Sequence, residues 1–144
     1  MGEGGRTKPR EVKAEDLVDE LVRTKQGIGE RFLSLENARI SGKFDLRSYV
    51  IDKPIIIRHC EFEDEVDLSL SGFTQLVEHS DCIFHKRFDS HSTLYKKALV
   101  CSRAYFEEAV NFRAVQVEDM TTFEKAEFKD KKQRVSFDGA SFGK

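Results

Sequence analysis

Acidic residues return at a fixed interval along this chain: Asp45, Asp67 and Asp89 stand 22 residues apart, and Asn111 takes the next place. Carboxylates so spaced could bind a cation or a sugar, or act as the paired acid and base of a glycosidase. If 22 residues make one turn of a stacked coil, the groups lie about 4.8 Å apart and repel by roughly 1 kcal/mol per adjacent pair even in water. The alternative is structural. Each side chain then accepts hydrogen bonds from backbone N–H groups of its own turn, as Asp and Asn do, and this is the expectation taken forward.

His59, Cys60, His79, Cys82, His85 and His91 are all residue types that hold zinc. Their places in the interval do not converge. Cys60, His79 and Cys82 fall on inward positions, whereas His59, His85 and His91 fall in turns, so no metal and no cofactor is expected. Cys60, Cys82 and Cys101 are odd in number and lack a CxxC pair, and parallel side chains on successive coils suit a disulfide poorly. They are expected to be free buried thiols, as in a reducing cytosol. His79 is expected to be a buried imidazole bonded to a backbone group. HExxH and Gly-rich phosphate loops do not occur, so no catalytic residue is assigned and the chain is expected not to be an enzyme.

The elements that would position these residues come from the same interval. A small or apolar residue, a variable one and a large apolar one recur as triplets: Cys60-x-Phe62, Val66-x-Leu68, Ser71-x-Phe73, Val77-x-His79, and again from Cys82-x-Phe84. From Ile40 to Phe128 the third residues step by 6, 5, 6, 5, which sums to 22, and with the two later triplets that end on Phe137 and Phe142 nine of the 12 Phe occupy third positions. Alternation over three residues is extended chain with its ends on one side. Four such faces close a coil, and like anchors stack, so Phe62, Phe84, Phe106 and Phe128 form one interior column. Leu68, Ser90, Phe112 and Phe137 form another. Ser90 is small for its slot beside an oversized Phe88, and Cys101 beside Leu99, as volume exchange in a close-packed interior requires. Between Phe128 and Phe137 the step is nine, so "KDKKQR" bulges out as a basic loop.

This pattern resembles the pentapeptide-repeat family, best in "VDLSLSGF", "AVNF", "KAEF" and "VSFDGASF" and over about residues 33 to 142. The resemblance implies a mainly β, right-handed quadrilateral β-helix. Strict members step by five, whereas two faces here take six, giving a looser coil with two wider corners. The resemblance also implies Asp or Asn in the ladder for reasons of fold. A larger three-faced β-helix of the polysaccharide-lyase type fits the regular rhythm less well.

Composition sets the remaining bounds. The chain has 144 residues, 39% hydrophobic and 35% charged, with a net charge of −2. That length suits one domain, and that charge gives no electrostatic pull towards nucleic acid or an anionic membrane. No apolar leader or spanning run is present, and a cytoplasmic setting is expected. Residues 1–10 are expected to be a disordered tail, 11–27 a capping helix on a stripe of Leu17, Val18, Leu21 and Val22 stopped by Gly27, and 28–144 the β-helix domain, with Leu33 and Leu35 inward in an incomplete first coil. At the other end the sequence runs out at "ASFGK" after an inward Phe142, so that end either meets another copy or belongs to a longer protein.

Because large side chains fill the interior, chemistry is confined to outer faces, corners and ends. Ile83, Leu94, Val100 and Tyr105 are apolar residues at outward positions and are expected to form one contiguous patch at a coil corner, with Val50 and Ile56 a smaller pair. The function expected is a non-catalytic interaction or scaffold module that binds a protein, or itself, through this corner or the C-terminal end. Two alternatives stand beside it. The resemblance implies a DNA-mimicking modulator of a type II topoisomerase, as in quinolone resistance, and the β-helix class includes carbohydrate-active enzymes.

Overall fold

The computed structural model describes residues 8–23 and 32–143. It opens with strand β1 (Arg10–Lys13) and helix α1 (Ala14–Arg23), then enters a solenoid through β2 (Leu33–Glu36), β3 (Ala38–Ser41) and β4 (Phe44–Asp45). Every later strand is short, and four parallel sheets form the walls. The first face stacks β1, β3, Glu61–Phe62, Ile83–Phe84, Tyr105–Phe106 and Glu127–Phe128. The second runs from β4 through Val66–Asp67, Phe88–Asp89 and Val110–Asn111 to Val135–Ser136. The third holds Val50–Ile51, Gly72–Phe73, Leu94–Tyr95, Gln116–Val117 and Ser141–Phe142; the fourth holds β2, Ile55–Arg58, Val77–Ser80, Leu99–Val100 and Thr121–Thr122. The molecule is therefore a mostly β, four-sided parallel solenoid.

Register follows the interval read from the sequence. Phe62 pairs with Phe84, Phe84 with Phe106 and Phe106 with Phe128, and their rings stack at 4.8, 4.9 and 5.0 Å within 11° of parallel. On the second face the last pair is Val110 with Val135, an interval of 25, so the basic loop inserts three residues without disturbing the stack. Phe88 is fully buried and meets Phe84 and Phe106 edge-on, filling the room that Ser90 leaves. Tyr95 reaches the same place, its hydroxyl 2.7 Å from the Ser90 Oγ, so a buried phenol finds the partner it needs.

The two kinds of corner differ in backbone. The five-residue steps turn on one left-handed residue each: Asn37, His59, Asp81, Arg103 and Lys125 between the fourth and first faces, and Ser48, Leu70, Ser92, Ala114 and Gly139 between the second and third. Nine of these ten are not glycine, and each such residue costs roughly 1–2 kcal/mol. The six-residue steps turn more gradually, and Gly42 is the left-handed residue they use among those described.

The N-terminal end differs from the expected helix over 11–27. Residues 11–13 belong to β1, which pairs in parallel with β3 and sets Val12 opposite Ile40. Without it, β3 would present an unpaired edge. Helix α1 then takes the place that the second and third faces occupy in later coils, burying Ala14, Leu17 and Leu21 in the core and packing on β4. Lys53 ties it down through a 3.2 Å bond to the Glu20 carbonyl. Leu33 and Leu35 point inward as expected. Gly27 and most of the expected N-terminal tail lie outside the described residues. At the far end Phe123, Phe128, Phe137 and Phe142 are only partly covered, since no described residue stacks beyond their rung.

His79 is an inward residue whose environment departs from the expected one. It is buried, but neither ring nitrogen has a hydrogen-bond partner. The strand groups around it are taken up by the coil-to-coil ladder, which leaves the imidazole edge-on among Phe62, Phe84 and Phe88 at 6.1, 5.7 and 6.0 Å. Burial pushes its pKa down to about 4, against a small opposing pull from Glu78.

Candidate functional site

The ladder residues stack in register on the second face, Asp45 on Asp67, Asp67 on Asp89 and Asp89 on Asn111. One side-chain oxygen of each accepts the backbone N–H two residues on: Arg47, Ser69, His91 and Arg113 donate, each at 3.0 Å. Cations flank the carboxylates. Lys43 lies 4.0 and 3.9 Å from Asp45 and Asp67, and Arg87 lies 3.4 Å from Asp89. Burial alone would raise the Asp67 pKa, but the Ser69 hydroxyl and amide, with Lys43 and Arg47, lower it overall. The ladder thus caps turns, and its three carboxylates have their repulsion offset locally by the flanking cations.

The three outer histidines stand apart. His59 is 3.8 Å from Asp81, His91 Nδ1 is 2.8 Å from Asp89, and His85 lies between Glu61 (2.9 Å) and Glu107 (3.0 Å). Among the described residues no three His, Cys, Asp or Glu side chains converge as metal ligands would. Cys60, Cys82 and Cys101 are free and buried, and desolvation pushes the thiols up.

The four apolar residues expected to form one patch are spread over three faces. Ile83 and Tyr105 pair on the first face, Leu94 is on the third, and Val100 is on the fourth. Charged pairs divide them: Arg103 bonds Asp81 at 2.8 and 2.9 Å on the corner between Val100 and Tyr105, and Arg58 bonds Glu78, the rung neighbour of Val100, at 3.0 and 3.1 Å. The expected contiguity fails because the tight corner there needs exposed residues in the left-handed conformation, and those are charged.

A continuous apolar row lies instead at the wide corner between the third and fourth faces. Phe32, Pro54, Leu76, Ala98 and Met120 follow the 22-residue interval, each directly before an inward residue. Backbone bonds lock this row in step: Leu33, Ile55, Val77 and Leu99 donate to the carbonyls of Pro54, Leu76, Ala98 and Met120. Phe32, Pro54, Leu76 and Ala98 of this row, with Ile56 beside them, line a shallow concavity of about 490 Å³. Phe32 and Met120, at the two ends of the row, are 44% and 48% exposed. The interval of this corner row is as regular in the sequence as that of the triplets, but its residues fall between triplets and not at their outward middle positions. Val100 and Ile56 border it; Ile83, Leu94 and Tyr105 do not belong to it.

The arrangement defines the class: a four-sided parallel β-solenoid whose accessible surface is faces and corners. Among the described residues no helix is long and apolar enough to cross a membrane. Compared with known proteins, the sequence matches no protein-family profile and no curated protein, and the structure matches no solved one.

Proposed function

We propose that this chain is a non-catalytic protein-interaction or scaffold module of pentapeptide-repeat type, working in the cytosol without a cofactor. The observation that carries the reading is the apolar row Phe32–Pro54–Leu76–Ala98–Met120 along one edge of a filled solenoid. A soluble surface seldom lines up apolar side chains over several rungs unless something covers them. The rigid rung spacing would present them to another protein, or to a second copy, at intervals of about 4.8 Å. A topoisomerase-directed DNA mimic would need an acidic face, and the ladder carboxylates are matched by Lys43, Arg47 and Arg87. The paired substitution Leu76→Lys with Ala98→Lys places charge on the row at half-buried corner positions outside the packed interior and is expected to leave the fold intact. Sedimentation velocity and cross-linking with a candidate partner should then show association lost. Association that survives both lysines, in a folded variant, refutes the assignment of the row.

A further inference from the structure

We infer that the corner between the second and third faces holds a binding site for a phosphate group, formed by His91, Asn111 and Arg113. This corner is separate from the apolar row, and the inference does not depend on the reading given to that row.

The starting point is the change of residue in the ladder. Asp45, Asp67 and Asp89 each use one oxygen to accept a backbone N–H, and their carboxylates meet Lys43 or Arg87. Asn111 does the same structural task, its Oδ1 accepting the Arg113 N–H at 3.0 Å. That bond fixes the amide's orientation and leaves Nδ2 with two protons and no partner among the described residues. One rung of the ladder has therefore changed its outer group from acceptor to donor while keeping its turn.

Neighbouring groups change in the same sense. The Arg113 guanidinium is exposed and forms no ion pair among the described residues. His91 donates Nδ1–H to Asp89 at 2.8 Å, which leaves Nε2 free. Asp89 is itself taken up by the His91 amide, the His91 ring and Arg87. Ser92 and Ala114, the left-handed residues of these two coils, are small and open a concavity of about 420 Å³ lined by His91, Asn111 and Arg113. In the preceding coil Leu70 stands where Ser92 does, and Ser69 where His91 does, so the donor set belongs to this position alone on the column.

An Arg fork, an amide N–H₂ and an imidazole nitrogen on adjacent rungs suit a group with three free oxygens. Arg gives two parallel N–H bonds to such a group. Imidazole Nε2 accepts from a protonated phosphate oxygen, or as imidazolium donates to an ionised one. The concavity falls within the range of small-molecule sites and exceeds what one phosphate ion fills, which points to the phosphate of a monoester. Asp138, one rung beyond Arg113, binds the Ala114 N–H through its backbone carbonyl, and its carboxylate opposes the anion.

The test is an NMR titration of the whole chain with inorganic phosphate and, separately, with phenyl phosphate at constant ionic strength, following the His91 ring protons. Saturable shifts are expected from both, and the tighter of the two identifies free phosphate or a monoester as the source. Asn111→Asp restores the residue used at the three earlier rungs, so the fold is kept, and binding should weaken at least about tenfold. Arg113→Gln, at an exposed and unpaired side chain, should do likewise, while Asp138→Asn should tighten binding about threefold. Absence of a saturable shift in the unmodified chain, or equal binding by Asn111→Asp or Arg113→Gln in folded form, overturns the inference.

Discussion

Replacing His79 with Leu should stabilise the protein, and by more as the solution becomes acidic. In the folded chain the imidazole is buried among Phe62, Phe84 and Phe88 with both nitrogens unpartnered. An unsatisfied buried polar group costs about 1–3 kcal/mol, and Leu removes it at similar size. The pH dependence follows from the depressed pKa, about 4 against 6.5 for an ordinary His. As pH falls below 6.5 the unfolded chain takes up a proton that the folded chain refuses, so stability falls until the folded value is passed. Worked through, this costs the wild type about 2 kcal/mol between roughly pH 7.5 and pH 5, approaching about 3 kcal/mol at full effect. The assay is urea unfolding of both proteins at matched pH values. Groups common to both, including the carboxylates and His85, cancel in the difference. A gap that stays constant with pH, or a wild type that is the more stable of the two at pH 5, would refute the reasoning.

Three further outcomes follow from other parts of the stack. Phe106→Ala, at a ring sandwiched between Phe84 and Phe128, should cost about 3–5 kcal/mol by denaturant unfolding; a loss below about 1 kcal/mol would mean the column is not packed. Leu70→Gly, at an exposed left-handed residue (φ 59°), should raise stability by about 0.5–1 kcal/mol in the same assay, and a loss would count against corner strain. His85 has the opposite sign to His79. Burial works against its charge, but hydrogen bonds to Glu61 and Glu107 outweigh it and raise the pKa. Its contribution is full below its ordinary value and is lost as pH rises through the elevated one. His85→Gln should therefore be destabilising at about pH 6, by under ~1 kcal/mol at this partly exposed site, and neutral by about pH 9.

Much of the architecture could be read from residue order because a solenoid repeats its constraints. The step of 22 places Phe62, Phe84, Phe106 and Phe128 in one column, and the size mismatch at Ser90 points to Phe88 from residue order alone. Strand β1 was not legible. Its Val12 carries no triplet of its own, and only the exposed edge of β3 calls for it. The Tyr95–Ser90 bond was also hidden, since the two belong to different faces. On the surface, alternation told which residues point out but not what lies between them. The Asp81–Arg103 pair, which cuts the expected patch, depends on the left-handed turn at both residues. The corner row from Phe32 to Met120 depends on the wider six-residue bend holding Pro54, Leu76 and Ala98 outside the wall. His79 shows the limit most plainly: its inward place was evident, yet only the packed rings around it reveal that no backbone group remains to meet its nitrogens.

The measurement that bears most directly on a filled, four-sided winding is a NOESY experiment on protein labelled at phenylalanine. Ring-to-ring contacts should connect residues 22 positions apart, Phe62 to Phe84, Phe84 to Phe106 and Phe106 to Phe128, at centroid spacings near 5 Å. Rings that show solvent contacts, or cross-peaks confined to near neighbours in sequence, would contradict it.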